Sequence, residues 1–487
     1  MWSGTDTLGD CGRAGPAARQ YGAIRNMREM LKLAAAAGLS AFCCAAFCQR
    51  AFAVSDGSGV AAVISVKTVP GNAAASPAED IRSVPMIPVW GGHSGGPGAE
   101  WSFLKEAGSS KDEDTLKLVL PELDDWLDRY PSYSAAPDAQ MLKAMIHEEL
   151  GCHRFALVDL LKYFQLYPGA DGAAEARKFF EGILAKKGDK RTRAALEDAS
   201  SAPATAAPDF NLAGLLKKLS ERAGEAYYKP LLKEYRYFFD RFPDYPGNDV
   251  LRMSLASLDE LNGRFLAASL VYEEMAKLYP SSPLMAAAKL ALADTLSYKL
   301  KKYDRAIDVY EDIAASFPGT GEAWASYQRL PELAEKRKKY DLAVRTYEKI
   351  IALYPQKPEA YKAYVSEARV LRDKLDKYQE AVDVLNRLAD NYKDGRGLNA
   401  LELAAKIYRK DLKNSDGEVK MYDRIASDYS ASPEAPKALY QAGELFYEQK
   451  NSGKANWYFH KIMDLYPGSG EFRKAAGRVA RIAAGKF

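Results

Sequence analysis

The chain has 487 residues, 47% of them hydrophobic and 27% charged, which excludes a disordered or collagen-like polymer and leaves room for more than one folded unit. Its net charge of +3 is too small to gather nucleic acid through a broad field. Residues 1–53 hold six basic and three acidic residues, so the remainder carries 62 of each sign and is neutral.

The first element in chain order is a leader. Arg28 and Lys32 precede an apolar run over 33–48, followed by Gln49, Arg50 and the small-x-small triplet Ala51, Phe52, Ala53. A basic stretch, an apolar stretch and a small-residue site predict a secretory signal over 1–53, cut after Ala53, with Met27 or Met30 as the functional start. The run falls short of the ~20 residues a helix needs to cross a bilayer. Cys11, Cys43, Cys44 and Cys48 leave with the leader, so only Cys152 remains and a processed chain has no internal disulfide. Phe42 and Phe47 precede Cys43 and Cys48, where a lipid-modified cysteine would follow a small residue, which argues against lipid anchoring.

Residues 54–110 are rich in Gly, Ala, Ser and Pro and read as a flexible tether, with one short strand at 63–69. Helical patterning begins near Lys111. An aromatic-Pro pair stands at Tyr130-Pro131, Tyr167-Pro168, Phe242-Pro243, Tyr279-Pro280, Phe317-Pro318, Tyr354-Pro355 and Tyr466-Pro467. Tyr392 and Tyr429 hold the same place without the Pro. Neighbouring marks are 37 or 38 residues apart, except for one gap of 75 after Tyr167. Between 263 and 355 three copies of a unit are plain: Phe265, Ala268, Tyr272; Tyr303, Ala306, Tyr310; Tyr340, Ala343, Tyr347. The Ala and second aromatic of each copy are one helical turn apart and share a face. The Pro ends that helix, because it lacks an N–H and crowds the preceding turn. A helix, turn, helix, Pro unit repeated at this period predicts an all-α solenoid of stacked helix pairs.

The missing mark falls near Thr205, so 188–210 reads as a linker between helical repeats at 111–187 and at 211–467, either as a hinge or as an insertion in one continuous stack. Residues 468–487 read as an amphipathic helix that shields the last repeat.

The last unit carries the sharpest resemblance. Leu439, Gly443, Phe446, Ala455, Phe459 and Pro467 follow the large, small, aromatic, small, aromatic, Pro order of the tetratricopeptide repeat family, which the repeats resemble. Gly443 and Ala455 are small so that the two helices of a repeat approach closely. There are departures. The period exceeds the family's ~34 residues; Pro331 lies mid-helix and should kink it; Glu418 replaces the small residue and should loosen its unit. With the leader, the resemblance extends to envelope members such as the periplasmic Tol-Pal accessory protein, the barrel-assembly lipoprotein and the scaffolds of secretion, pilus and polysaccharide export. It implies a periplasmic scaffold that binds protein partners in the cell envelope, with no cofactor. It also implies that the first helix of each repeat lines a groove, placing Lys362, Arg369 and Arg372 there in one unit and Lys437, Tyr440, Glu444 and Tyr447 in the last. The alternative is a glycan-binding subunit of a cell-wall or polysaccharide system.

Catalytic patterning is absent from the sequence. His147 and His153 are six apart, not the four of a helical metal pair, so no metal site is expected, and the two rings and Cys152 read as surface or half-buried groups. Acidic pairs such as Asp124-Asp125 read as solvated helix faces. No phosphate loop or nucleophile elbow occurs, so no enzyme is expected. The many Tyr and Phe occupy repeat positions and read as core.

Overall fold

The computed structural model describes residues 96–205 and 207–485. The leader, the strand expected at 63–69 and the tether as far as residue 95 lie outside the described residues. Among the described residues every regular element is helical: 21 α-helices, two of them continued by a π turn, and no strand. The fold is all-α, with helix pairs stacked in chain order. None of these helices is long and apolar enough to cross a membrane. The chain forms two compact units.

The first unit comprises residues up to Ala223 together with Lys229–Arg241. It contains α1 (Gly96–Ala107), α2 (Glu113–Arg129), α3 (Ala136–Glu149), α4 (His153–Leu166), α5 (Ala173–Lys187), α6 (Arg193–Ser200), α7 (Pro208–Ala223) and α8 (Tyr228–Arg241), the last from Lys229 onward. Two expectations are corrected here. Residues 96–107 are not tether. Leu104 of α1 is buried in a core with Leu116, Leu123 and Trp126, the Trp101 and Trp126 rings lie 5.6 Å apart, and Trp126 Nε1 donates to Pro97 O at 3.1 Å. Nor is 188–210 an unstructured linker. Leu196 and Ala199 of α6 are buried, Arg177 donates to Ser200 O, and Asn211 Nδ2 donates to Gln165 O at 3.1 Å. A segment short of aromatic-Pro punctuation still buries an apolar face, and the division between compact units falls between Ala223 and Phe242 instead. Cys152 is disulfide-bonded.

The second unit holds α9 (Asn248–Leu261), α10 (Phe265–Leu278), α11 (Met285–Asp294), α12 (Tyr303–Ser316), α13 (Gly321–Lys336), α14 (Tyr340–Leu353), α15 (Pro358–Leu375), α16 (Tyr378–Asn391), α17 (Gly395–Ile407), α18 (Ser415–Asp428), α19 (Glu434–Glu448), α20 (Ser452–Leu465) and α21 (Gly470–Ala483). Consecutive helices pack on one another from α9 to α21. Odd-numbered members are first helices of a pair; even-numbered ones are second helices.

The second helices α10, α12, α14, α16, α18 and α20 all have 14 residues. Each starts two residues after a left-handed residue: Gly263, Lys301, Lys338, Asp376, Lys413 or Lys450. Each ends at an aromatic whose N–H donates to the carbonyl four residues back, as Tyr354 N to Ile350 O at 3.0 Å. The Ala and aromatic face inward as expected: Ala268, Ala306 and Tyr310 are fully buried and Tyr272 nearly so. Burying a large apolar side chain contributes about 1.5–3 kcal/mol, and an alanine methyl about 0.8 kcal/mol.

Proline does not set the stop. Tyr392 and Tyr429 close their helices at the same place with Lys393 and Ser430 next in sequence. The aromatic sets it by packing back on the first helix of its own repeat. The Tyr354 ring lies 4.5 Å from Trp324 and 5.9 Å from Tyr327, and the Tyr392 ring lies 5.9 Å from Tyr361. The helix α13 runs unbroken through Pro331. Glu418 is not a loose spot. It is 1% exposed, takes Arg409 Nε at 2.6 Å and accepts the Tyr422 hydroxyl at 3.0 Å.

Candidate partner-binding clefts

The first helices of adjacent repeats flank clefts floored by the second helix between them. One, of about 540 Å³, lies between α13 and α15 over α14 and is lined by Gln328, Glu332, Glu335, Tyr347, Lys362 and Arg369 among others. A second, of about 360 Å³, lies between α17 and α19 over α18 and is lined by Glu402, Lys406, Arg409, Lys410, Tyr422 and Lys437 among others. Both volumes are in the range of small-ligand or side-chain pockets. The two clefts occupy the same slot two repeats apart. Glu332 and Glu335 stand 74 residues before Lys406 and Arg409, and Tyr347 and Lys362 stand 75 before Tyr422 and Lys437.

The structure brings some of the expected groove residues together and withdraws others. Lys362 and Arg369 line the first cleft and Lys437 the second. Arg369 is engaged with both carboxylate oxygens of Glu335 at 2.7 Å, tying α15 to α13. Arg372 donates to Asp411 at 2.6 Å, tying α15 to the π turn Tyr408–Leu412. Tyr440, Glu444 and Tyr447 turn instead toward α21. Glu444 takes Arg478 through two bonds at 2.6 and 2.8 Å, and the same guanidinium lies 4.5 Å from the Tyr447 ring centroid. Tyr447 is 7% exposed, so it is core and not groove surface. The cause is local: α21 supplies a cation where an open groove would leave the acid and the ring bare.

The first unit holds a different arrangement. Lys143 of α3, 2% exposed, sits between Asp124 Oδ1 at 2.8 Å and Asp159 Oδ1 at 3.0 Å. Lys233 reaches the other Asp124 oxygen at 2.5 Å, and His147 Nδ1 lies 2.5 Å from Asp159 Oδ2. Lys162 pairs with Glu234 at 2.8 Å under the Tyr237 ring. Burial drives the Asp124 pKa up, but Lys143 and Lys233 outweigh it and hold the carboxyl at about 2. For Lys162 burial wins and lowers the ammonium below its usual range. Asp124, Lys143, Lys162, Lys233, Glu234 and Tyr237 line an open cleft of about 370 Å³. Two expectations are corrected. Asp124 is bound to two lysines and is not a freely solvated acid, and His147 is buried against Asp159, not at the surface. His153 pairs with Glu148 at 2.6 Å. Among the described residues no three metal-binding side chains converge.

Reading of the sequence missed Lys406, Arg409 and Lys410, and the Lys143, Lys162 and Glu234 ions. Superposing repeats at the 74–75 residue offset would have exposed the first set, since acids at 332 and 335 become bases at 406 and 409. The second set carries no periodic signal.

Tetratricopeptide repeat models match residues 255–324 and 332–396, and another tetratricopeptide repeat model matches 437–469; these segments carry such repeats. A comparison with curated proteins finds no match. Among solved structures, a tetratricopeptide repeat protein from Parabacteroides merdae ATCC 43184 is 14% identical, with a TM-score of 0.28, over 54% of this chain and 97% of its own. Naa15/Naa10 bound to HypK-THB is 14% identical, with a TM-score of 0.32, over 79% of this chain and 61% of its own. The P58(IPK) TPR domain is 13% identical, with a TM-score of 0.22, over 80% of this chain and 98% of its own.

Proposed function

We propose that the chain is an exported, non-enzymatic scaffold that docks protein partners in the cell envelope. The carrying observation is the pair of equivalent clefts, each walled by first helices and lined by solvent-reaching polar side chains over an apolar floor. Repeated slots of this kind bind by summing modest interactions along a stack. The export part of the reading is supported by the basic, apolar and small-residue order of residues 28–53.

The test is capture of the tagged full chain from fractionated cells after cross-linking. The expected result is enrichment in the envelope fraction with the same partner in independent preparations, and reduced recovery with Lys362→Glu. Residence in the cytoplasm overturns the location. Unchanged recovery with Lys362→Glu overturns the first cleft as a docking place.

A further inference from the structure

The second helices share one register, so their outward positions compare one to one. The sixth position is Asp308 in α12, Arg345 in α14, Asp383 in α16 and Lys420 in α18. In α20 it is Trp457, and that side chain is 55% exposed. The fourteenth position of α20 is Leu465, 59% exposed. There α12, α16 and α18 have Ser316, Asn391 and Asp428, and α14 has Leu353. Only α20 among these five carries an apolar residue at both places.

Cations frame the indole. Lys454, Trp457, Lys461 and Leu465 follow one another at three or four residues and form a single stripe along α20. Lys454 Nζ lies 4.8 Å from the Phe446 ring centroid, and Lys461 Nζ lies 4.7 Å from that of Trp457. Neither ammonium forms an ion pair among the described residues. The cations that hold the place of Lys461 in α16 and α18 do: Arg387 meets Glu367 and Arg424 meets Asp390. In α10 the sixth position is also apolar, Leu270, but the place of Lys461 is taken by Glu274.

The positive excess extends to the neighbouring helix. Together α20 and α21 hold six basic and two acidic residues, against three and seven in α12 with α13 and again in α18 with α19. Of the two acids, Glu471 is engaged by Lys474 at 3.5 Å, and Asp464 stands beside the stripe. Arg473 and Arg481 are exposed on α21 with no ion pair among the described residues. The outward ridge of α18 is balanced, with Asp416, Lys420, Arg424 and Asp428.

We propose that the α20 stripe seats the stack on an anionic lipid surface, with Trp457 and Leu465 entering the headgroup region and Lys454 and Lys461 meeting its acidic headgroups. An indole beside an ammonium suits a boundary that is apolar on one side and wet on the other. Each cation held near such a surface adds a modest attraction. A nucleic acid would answer the charge but leave Leu465 in water. The stripe lies on a second helix, outside the first-helix walls of the clefts, so this inference goes beyond the docking reading and does not depend on it.

The test is fluorescence of the full chain mixed with vesicles of phosphatidylglycerol and phosphatidylcholine in equal parts, with and without bromine on the acyl chains. Emission from Trp457 is taken as the difference between wild type and Trp457→Phe, so binding through any other part of the chain does not imitate it. That emission is expected to move to shorter wavelength and to be quenched by the bromines, both effects weakening with salt. Lys454→Gln/Lys461→Gln should raise the lipid concentration for half-maximal quenching roughly tenfold or more, and Leu270→Ala should leave it unchanged. Circular dichroism of each variant checks that the helices are retained. The proposal is overturned if vesicles leave the Trp457 emission unaltered, if vesicles of phosphatidylcholine alone quench it equally, or if the glutamine variant is quenched like wild type. It is also overturned if the shift appears without lipid as protein concentration rises, which marks a second copy as the occupant, or if a single-stranded oligonucleotide produces it. Any of these results leaves the cleft reading, tested through Lys362→Glu, untouched.

Discussion

Gly443 lies against the ring of Phe459: a Cβ placed on it would meet Phe459 Cε1 at 2.6 Å and Cδ1 and Cζ at 3.0 Å. The ring is fully buried and cannot step aside. Gly443→Ala is therefore expected to destabilise the last repeat by about 1–3 kcal/mol, the range for overpacking a tight core. Urea unfolding of the full chain checks this, and Phe459→Leu in the same chain should restore part of the loss, since the two sites couple through one contact.

The left-handed residues invite the opposite experiment. Lys338 has φ 58 and an exposed side chain, and Lys301, Lys413 and Lys450 share its conformation. A non-glycine residue pays about 1–2 kcal/mol of steric strain there, partly offset because glycine loses more freedom on folding. Lys338→Gly is expected to raise stability by about 0.5–1 kcal/mol, and Lys338→Val to lower it by more. Midpoints of urea unfolding decide the sign.

Glu367 gives a pH signature. It is 1% exposed, its Oε1 takes Arg387 at 3.1 Å and its Oε2 is buried without a hydrogen-bond partner. Burial pushes its pKa up to about 7, Arg387 opposing and Glu348 adding to the rise. The folded state therefore binds more protons than the unfolded one between the ordinary value of 4.5 and about 7. Stability from this group is full below that window and is lost as pH rises through it, by about 3 kcal/mol. The difference in unfolding free energy between wild type and Glu367→Gln should shift by that amount from pH 4 to 8. A flat difference would sink the assignment.

Lys143 should be among the most sensitive positions of the first unit. Lys143→Met leaves buried Asp159 with His147 and Asp124 with Lys233 as their remaining charged partners, and removing one partner of such a group costs about 3–5 kcal/mol. The Asp124 carboxyl, held at about 2, contributes stability that is present above its usual 3.8 and lost as pH falls toward 2. The variant should show less of that acid-side loss, as read by circular dichroism between pH 5 and 2.

Legibility in the sequence followed periodicity. Tyr310, Ala306 and Phe317 announced a helix, its inner face and its end, because a 3.6-residue rhythm and a fixed period survive in one dimension. Gly443 was readable for the same reason. The ties between repeats were not. Arg369 looks like any exposed cation until Glu335, 34 residues earlier, is placed beside it. Glu418 looked like a packing fault because its Arg409 partner sits on the preceding helix. The Lys143 cluster lacked any rhythm, and α1 was hidden by glycines and prolines at its start.

The second helices keep one length while every change of repeat length falls between an aromatic stop and the next left-handed residue, where the π turns Thr295–Lys299 and Tyr408–Leu412 also lie. One side of the stack is thus a fixed ruler and the other an editable margin. Docking specificity can diverge there cleft by cleft, while the spacing of the rungs is inherited intact.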